Sequence, residues 1–185
     1  MRYLSLILIP LFWGCSSKEL YTLGDTASIQ RGDVQQTTII GIETVQLPTY
    51  LKDSPIYKKD SPNHLIELPN AKWAISMDQQ LTQVLINYLQ KRQNNPNVHA
   101  YPWDNVDQPL NRKVSVHITN FIAYNHRVIL EASYQIADKQ TNKTKNVIFS
   151  TEEPLSNDQP ETIVQSMEQA FFKLAQEINE YLCHD

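Results

Sequence analysis

Histidines and acidic residues are the first places to look for chemistry, because they serve as general acids, general bases and metal ligands. No ligand spacing with the acidic residues or with Cys183 is found for the five histidines, which are His64, His99, His117, His126 and His184. The sequence also has no G-x-S-x-G elbow, P-loop or G-x-G-x-x-G. Glu152 and Glu153 precede Pro154 and are interpreted as a solvated surface loop. We therefore expect no catalytic site, no metal site and no cofactor.

Cys15 is the residue whose surroundings indicate a covalent modification. A basic start, an apolar run over residues 4–13 and the small residue Gly14 precede it, which is the layout of a secretory signal. The run is about half the length that a helix needs to span a bilayer. A cysteine directly after the small residue is typical of lipoprotein signals, in which the thiol receives a diacylglyceryl group. We predict a signal peptide over residues 1–14 and lipidation of Cys15.

Two residues keep an alternative open for this signal. Phe12 and Trp13 stand where lipoprotein signals usually carry a leucine and a small residue. The alternative is a plain signal peptide followed by a chance cysteine. With lipid on Cys15, the second cysteine, Cys183, has no partner within the chain, so a disulfide scaffold is excluded. Cys183 is interpreted as a tolerated thiol near the end of a helix, with an intermolecular bridge as the alternative.

The charge balance argues against a nucleic-acid partner. Removing Arg2 with the signal leaves 15 Lys and Arg residues against 20 Asp and Glu, a formal net charge of −5. Phosphate binding needs a basic face, and adjacent basic residues occur as isolated pairs, such as Lys58-Lys59 and Arg112-Lys113.

The first part of the mature chain is predicted to be a tether followed by a strand. Residues 15–36 are interpreted as the lipidated N-terminus and a polar tether carrying a short strand over residues 20–23. The domain covers residues 37–185, and its first strand, over residues 37–47, is apolar on both faces. Prolines beyond Pro48 predict an irregular, partly exposed stretch with short extended pieces at residues 56–57 and 64–68.

Two helices are predicted from apolar residues at helical spacing. Ser76 and Gln79 form a Ser-x-x-Gln capping box at the start of the first helix. Its apolar stripe is Met77, Leu81, Val84, Leu85, Tyr88 and Leu89. Pro160 opens the second helix. Its stripe is Ile163, Met167, Ala170, Phe171, Leu174, Ile178 and Leu182.

Between the helices the apolar period changes to two, which predicts strands with one covered face. Val114, Val116 and Ile118 alternate with polar residues, and a turn near Asn125 leads to a second alternating run over residues 128–136. A third strand covers residues 145–151. The predicted fold is a single α/β domain in which two long helices pack on one mixed, largely antiparallel sheet.

Apolar residues next to prolines in predicted loops are candidate interface positions. Tyr50 and Leu51 follow Pro48, and Trp103 follows Pro102. Aromatic side chains in such places often anchor protein contacts. The alternative is that they close the ends of the sheet.

The order of these parts resembles the ABC-type transport auxiliary lipoproteins over essentially the whole mature chain. The resemblance is carried by Cys15, the Tyr21-Thr22-Leu23 strand, the segment from Val45 to Leu51 and the strand ending in Asn120-Phe121. Its structural motif residues are Pro48, Trp73, Ala74, Asp78, Gln79 and Leu81. Family members often carry an arginine where this chain has Lys52, which puts any bidentate contact of that arginine in doubt.

The resemblance implies a non-enzymatic lipoprotein on the periplasmic face of the outer membrane. Ser16 after the lipidated cysteine fits outer-membrane sorting. The implied partners are a periplasm-spanning MCE-domain tube protein (PqiB-like), an inner-membrane PqiA-like component and further copies of the chain in a homo-oligomer, which together move lipid between the membranes. Two rival hypotheses are a structural outer-membrane lipoprotein without a transport complex and a periplasmic hydrolase.

Overall fold

Eight strands and two long helices make up the part of the chain that the structure, a computed structural model, describes: residues 18–33, 35–103 and 109–184. The elements are β1 (Glu19–Tyr21), β2 (Ile40–Glu43), β3 (Pro55–Ser61), β4 (His64–Trp73), α1 (Met77–Arg92), β5 (Val98–Tyr101), β6 (Arg112–Tyr124), β7 (Arg127–Asp138), β8 (Thr144–Pro154) and α2 (Pro160–His184). The predicted signal peptide and Cys15 lie outside the described residues.

The antiparallel meander of β6, β7 and β8 forms one side of the sheet, with β8 at the edge. Its alternation follows the sequence: Val114, Val116 and Ile118 are at most 2% exposed, whereas His117 between them is exposed. The predicted third strand is three residues longer at its C-terminal end than expected. Glu152 and Glu153 therefore lie within β8, in register with β7, and their assignment to a loop was wrong.

The remaining strands make the sheet mixed. β7 occupies one edge of β6 over its whole length, so β2 and β3 share the other edge, β2 near Arg112 and β3 near Ala123. β2 and β3 both run parallel to β6. Beyond β2 lies β5, also parallel, and beyond β3 lie antiparallel β4 and then β1, parallel to β4.

Both helices pack on one face of this sheet. All thirteen residues of the two predicted apolar stripes are buried, at 8% exposure or less. Phe171 and Leu174 on α2 and Leu85 on α1 are among the most deeply buried, at 0–1% exposure. The predicted α/β fold, one domain with two helices on a mixed sheet, is confirmed.

The first predicted strand of the domain is shorter than the pattern indicated. β2 ends at Glu43, because the Val45 amide donates to the Thr82 hydroxyl of α1 at 3.0 Å instead of to a strand neighbour. Gln46 then rejoins the sheet as an isolated bridge to His117.

The stretch after Pro48 is more regular than predicted, since β3 and β4 form an antiparallel hairpin. Its prolines occupy positions that a hairpin tolerates. Pro55 is the first residue of β3, Pro62 lies in the turn, and Pro69 lies where β4 has extra residues relative to β3. Asn70, with φ of 60°, occupies the left-handed region at this irregularity.

The start of α1 was predicted correctly, but the predicted capping box is wrong. The Ser76 side chain makes no capping hydrogen bond, and Gln79 is exposed. The glutamine that bonds to the backbone at this helix start is Gln80. It is 5% exposed, and its amide nitrogen donates to the Ile75 carbonyl at 2.6 Å.

Candidate functional site

The face of the sheet opposite the helices is the candidate interaction site, and we call it the open face. Two residues from each of five strands lie on it. They are His99 and Tyr101 on β5, Gly41 and Glu43 on β2, Lys113 and Ser115 on β6, Ser133 and Gln135 on β7, and Asn146 and Ile148 on β8. Ile148 is 89% exposed. The open face is therefore polar at its centre, with apolar side chains at its two edge strands, β5 and β8.

An aromatic cluster lies at the β5 edge. Trp103 packs edge-on against Tyr101, with ring centroids 5.4 Å apart at 87°, and against His99 at 5.9 Å. A Cβ added to Gly41 would come within 3.0 Å of the Trp103 ring, so this glycine leaves the space that the indole fills. Edge-to-face aromatic packing is favourable, and it holds Trp103 half-buried on the sheet.

A polar pair lies beside this cluster. The Glu43 carboxylate accepts hydrogen bonds from the Lys113 ammonium at 2.8 Å and from the Ser115 hydroxyl. These hydrogen bonds hold the pKa of Glu43 below its ordinary value, with desolvation opposing them. The Lys113 ammonium also lies 5.8 Å from the centroid of the Tyr101 ring, within the range of a cation–π contact.

Tyr50 lies at the other end of the open face and completes a β-bulge. β6 carries an extra residue between Ile118 and Asn120. The Phe121 amide next to the bulge donates to the Tyr50 hydroxyl at 2.9 Å, and that hydroxyl donates to the Asn120 side chain at 3.3 Å. Burial raises the pKa of Tyr50. Tyr50 is half-buried, and its hydroxyl bonds to the bulge itself. These contacts favour the alternative that it closes this end of the sheet.

The three predicted interface residues do not form one surface. Leu51 is 4% exposed and belongs to the core, so its predicted place in an accessible interface was wrong: the 3-10 turn Thr49–Leu51 points it inward. Tyr50 and Trp103 are both half-buried. Trp103 is the one that lies in an aromatic cluster on the open face. β5, which positions that cluster, was missed because a four-residue strand before a proline has too short a pattern to detect.

The segment predicted to be a tether is attached to the body from Glu19 onward. β1 pairs with β4, and the Leu23 amide donates to the buried Gln80 side chain at 2.8 Å. The amides of Gly24 and Asp25 both donate to one carboxylate oxygen of Glu168, at 2.6 and 2.8 Å. Sequence reasoning missed Gln80 and Glu168, because a polar residue within a helix gives no sign of its partner.

Further along, the same segment follows α1. The Lys91 ammonium donates to the Thr26 carbonyl at 2.6 Å, and the Gly32 amide donates to the Lys91 carbonyl at 3.0 Å. At the start of the segment, the Tyr21 hydroxyl donates to the Glu19 carboxylate at 2.6 Å, which raises the pKa of Tyr21 to about 12. Of the described residues in the predicted tether, Lys18 alone precedes the first strand.

Two classes of site receive no support from the described residues. They contain no group of three or more His, Cys, Asp or Glu side chains placed to hold a metal ion. In the described ranges, no helix is both long enough and apolar enough to cross a membrane.

Comparison with known proteins gives the family. The family model for the ABC-type transport auxiliary lipoprotein component matches residues 21–179. The chain belongs to this family. None of the curated proteins compared with the chain matches it in sequence.

Solved structures share the fold of the family. The chain is similar to an uncharacterized protein at 18% identity, with a TM-score of 0.72 over 90% of this chain and 99% of that one. It is similar to XCC0632 from Xanthomonas campestris, a DUF330 protein, at 12% identity, with a TM-score of 0.66 over 90% and 92% of the two chains. CT253 from Chlamydia trachomatis follows at 10% identity and a TM-score of 0.51, over 81% and 100%.

Within the family fold, the motif residues lie around the junction of β4 and α1. Trp73 is 5% exposed at the end of β4, and the Ala74 amide donates to the Tyr21 carbonyl at 2.9 Å. Leu81 is fully buried, and the Asp78 carbonyl accepts a hydrogen bond from Thr82 at 2.6 Å. Pro48 lies apart from them and opens the 3-10 turn. That these positions form a family motif stays a prediction.

Proposed function

We propose that this protein is a non-enzymatic outer-membrane lipoprotein of an MCE-type intermembrane lipid transport system, of the kind represented by the intermembrane transport lipoprotein PqiC (paraquat-inducible protein C). The observation that carries the proposal is the family match over residues 21–179, which describes a transport auxiliary lipoprotein. In this role the domain docks a PqiB-like MCE tube protein at the outer membrane, within a system that includes a PqiA-like component.

The open face supports docking as the mode of action. Trp103 is anchored on Gly41 and packed by two neighbouring rings, so its indole is held in place before any partner arrives. A rigid aromatic side chain loses little conformational entropy on binding, and tryptophan is enriched among the residues that dominate interface energies. The polar side chains at the centre of the open face would supply hydrogen bonds to the partner around this aromatic anchor.

Co-purification of the protein with a tube-forming MCE partner tests this proposal. We expect the native chain to retain the tube and Trp103→Ala to lose most of it. Tyr124→Ala is the matched control, because Tyr124 is a half-buried aromatic residue at the far end of β6 and outside the aromatic cluster.

Two results of that experiment would contradict the proposal. Failure of the native chain to retain the tube, with both partners folded, would favour the rival structural lipoprotein. Equal losses for Trp103→Ala and Tyr124→Ala would remove the aromatic cluster from the interface.

The membrane anchor is proposed to be the lipid on Cys15. Two or three acyl chains, palmitate among them, give stable attachment where a single chain binds marginally. Cys15→Ser should abolish labelling by radioactive palmitate and release the protein from the outer-membrane fraction. Its circular dichroism spectrum should stay unchanged, because Cys15 precedes β1, which begins at Glu19.

Self-association is proposed through the edges of the open face. Among the described strands, β8 pairs with β7 alone, and its Ile148 side chain is 89% exposed. A large apolar side chain in that position gains from contact with another copy. Ile148→Asp should shift the acylated protein toward the monomer in sedimentation velocity, whereas Thr141→Asp in the neighbouring turn should not.

A further inference from the structure

The direction in which the chain enters β1 bears on how the body meets the membrane. β1 is parallel to β4, with Glu19 beside Ala71 and Leu20 beside Lys72. Lys18, the first described residue, therefore lies on the side of β1 toward which β4 begins, at His64. That is the side toward which the β3–β4 hairpin extends.

Two lengths can be compared from this point. β3 runs from Pro55, which is level with Lys72 and Leu20, to Ser61 at the hairpin turn, a span of about 20 Å for an extended strand. The chain from Leu20 back to Cys15 spans at most about 18 Å when fully extended. Cys15 itself thus reaches no further along the hairpin than its tip.

Exposed apolar side chains lie at both ends of this hairpin. Four large hydrophobic side chains are exposed among the described residues: Leu20 at 66%, Leu65 at 36%, Ile75 at 52% and Ile148. Leu65 lies at the tip, whereas Leu20 and Ile75 lie at the other end of β4, beside Lys72 and after Trp73. Large apolar side chains of a surface protein gain free energy when they enter the boundary between headgroups and acyl chains.

We propose that the β3–β4 hairpin lies against the phospholipid surface, held there by the short connection to Cys15. The inference rests on the proposed lipid anchor. The tip, residues 60–65, is exposed, and its Leu65 side chain meets the headgroups. His64 and Asp60 meet them as a pair, with the imidazole Nδ1 2.8 Å from the carboxylate Oδ1. Lys58, midway along β3, forms an ion pair with Asp158, before α2, at 2.8 Å, which holds the hairpin against the body of the domain.

Fluorescence quenching by headgroup spin-labelled phosphatidylcholine tests the proposal on the full acylated chain in phosphatidylcholine vesicles. Cys183→Ser removes the exposed thiol, and Asn63→Cys then carries an environment-sensitive fluorophore at the tip. Thr141→Cys is the matched control, since it lies in the turn at the opposite end of β6 from β3. We expect the Asn63 label to lose most of its fluorescence and the Thr141 label to keep most of its own.

Mass spectrometry of the same samples separates the two levels of inference. If Cys15 is acylated and both labels are quenched equally, the hairpin proposal is overturned while the anchor stands. If Cys15 carries no lipid, the anchor and the hairpin proposal fall together. A ten-residue Gly-Ser insertion after Ser17 should restore most of the Asn63 fluorescence. Undiminished quenching after that insertion would overturn the role of the short connection.

Discussion

The two faces of the sheet differ in almost every property. Beneath α1 and α2, β6 and β7 present Val, Ile, Leu and Ala side chains that are at most 8% exposed. On the open face the same strands present serine, histidine and glutamine, and the organised features are an aromatic cluster and one ion pair. Burial of apolar area dominates folding free energy. Stability therefore resides on the covered face, and the open face can serve a partner at small cost to the fold.

The largest expected effect comes from the covered face. Phe171 is 1% exposed, and Phe171→Ala should lower the free energy of unfolding by about 3–5 kcal/mol, because it removes a buried ring and leaves a cavity. Ile148→Ala on the open face should change it by less than about 0.5 kcal/mol. Urea unfolding of residues 16–185 measures both. Similar effects of the two substitutions would contradict the division between the faces.

Gln80 tests whether the N-terminal segment belongs to the stable body. Gln80→Leu leaves the buried Leu23 amide without its acceptor, which should cost about 1–3 kcal/mol. Amide exchange at Leu23 should accelerate. Exposed Gln79→Leu is the control, and comparable losses in both variants would show that the buried hydrogen bond contributes little.

A smaller effect is expected for the hydroxyl that completes the bulge. Tyr50→Phe keeps the ring and removes the acceptor of the Phe121 amide, so unfolding should become easier by about 1 kcal/mol. Hydrogen exchange at Phe121 should quicken, while exchange at Val116 on the same strand stays as it was. An unchanged rate at Phe121 would mean that the tyrosine acts through packing alone.

The smallest effect concerns pH. The folded-state pKa of Glu43 is lowered from 4.5 chiefly by the Lys113 hydrogen bond, so its contribution is present above the ordinary pKa and is lost as the pH falls through the lower folded value. The pair is partly exposed, which limits this contribution to less than about 1 kcal/mol. Glu43→Gln should therefore make stability decline less steeply below about pH 4.5. A parallel decline in both proteins would contradict it.

The covered face was predictable from sequence and the open face was not, for a physical reason. Val114, Val116 and Ile118 repeat at the period of a strand, and Phe171 and Leu174 at that of a helix, so each pattern reports which side is buried. Glu43 and Gln80 acquire their roles from partners distant in sequence, and Trp103 acquires its place on the sheet from the distant Gly41 as well as from its neighbours. No local period encodes such contacts. Leu51 shows the opposite error. Its place shortly after Pro48 predicted an accessible side chain, but the 3-10 turn buries it.

The parallel pairing of β1 with β4 has a mechanical consequence for a chain anchored at its N-terminus. A force applied through Cys15 would pull β1 along its own axis, so that the hydrogen bonds from Glu19 to Tyr21 are sheared together rather than opened one after another. The hydrogen bonds of the Gly24 and Asp25 amides to Glu168 come next along the chain, so they would bear the force only after β1 had separated. If the chain is anchored as proposed, three residues of strand act as a shear clamp, and tension on Cys15 passes into the sheet and α2 without peeling the domain apart.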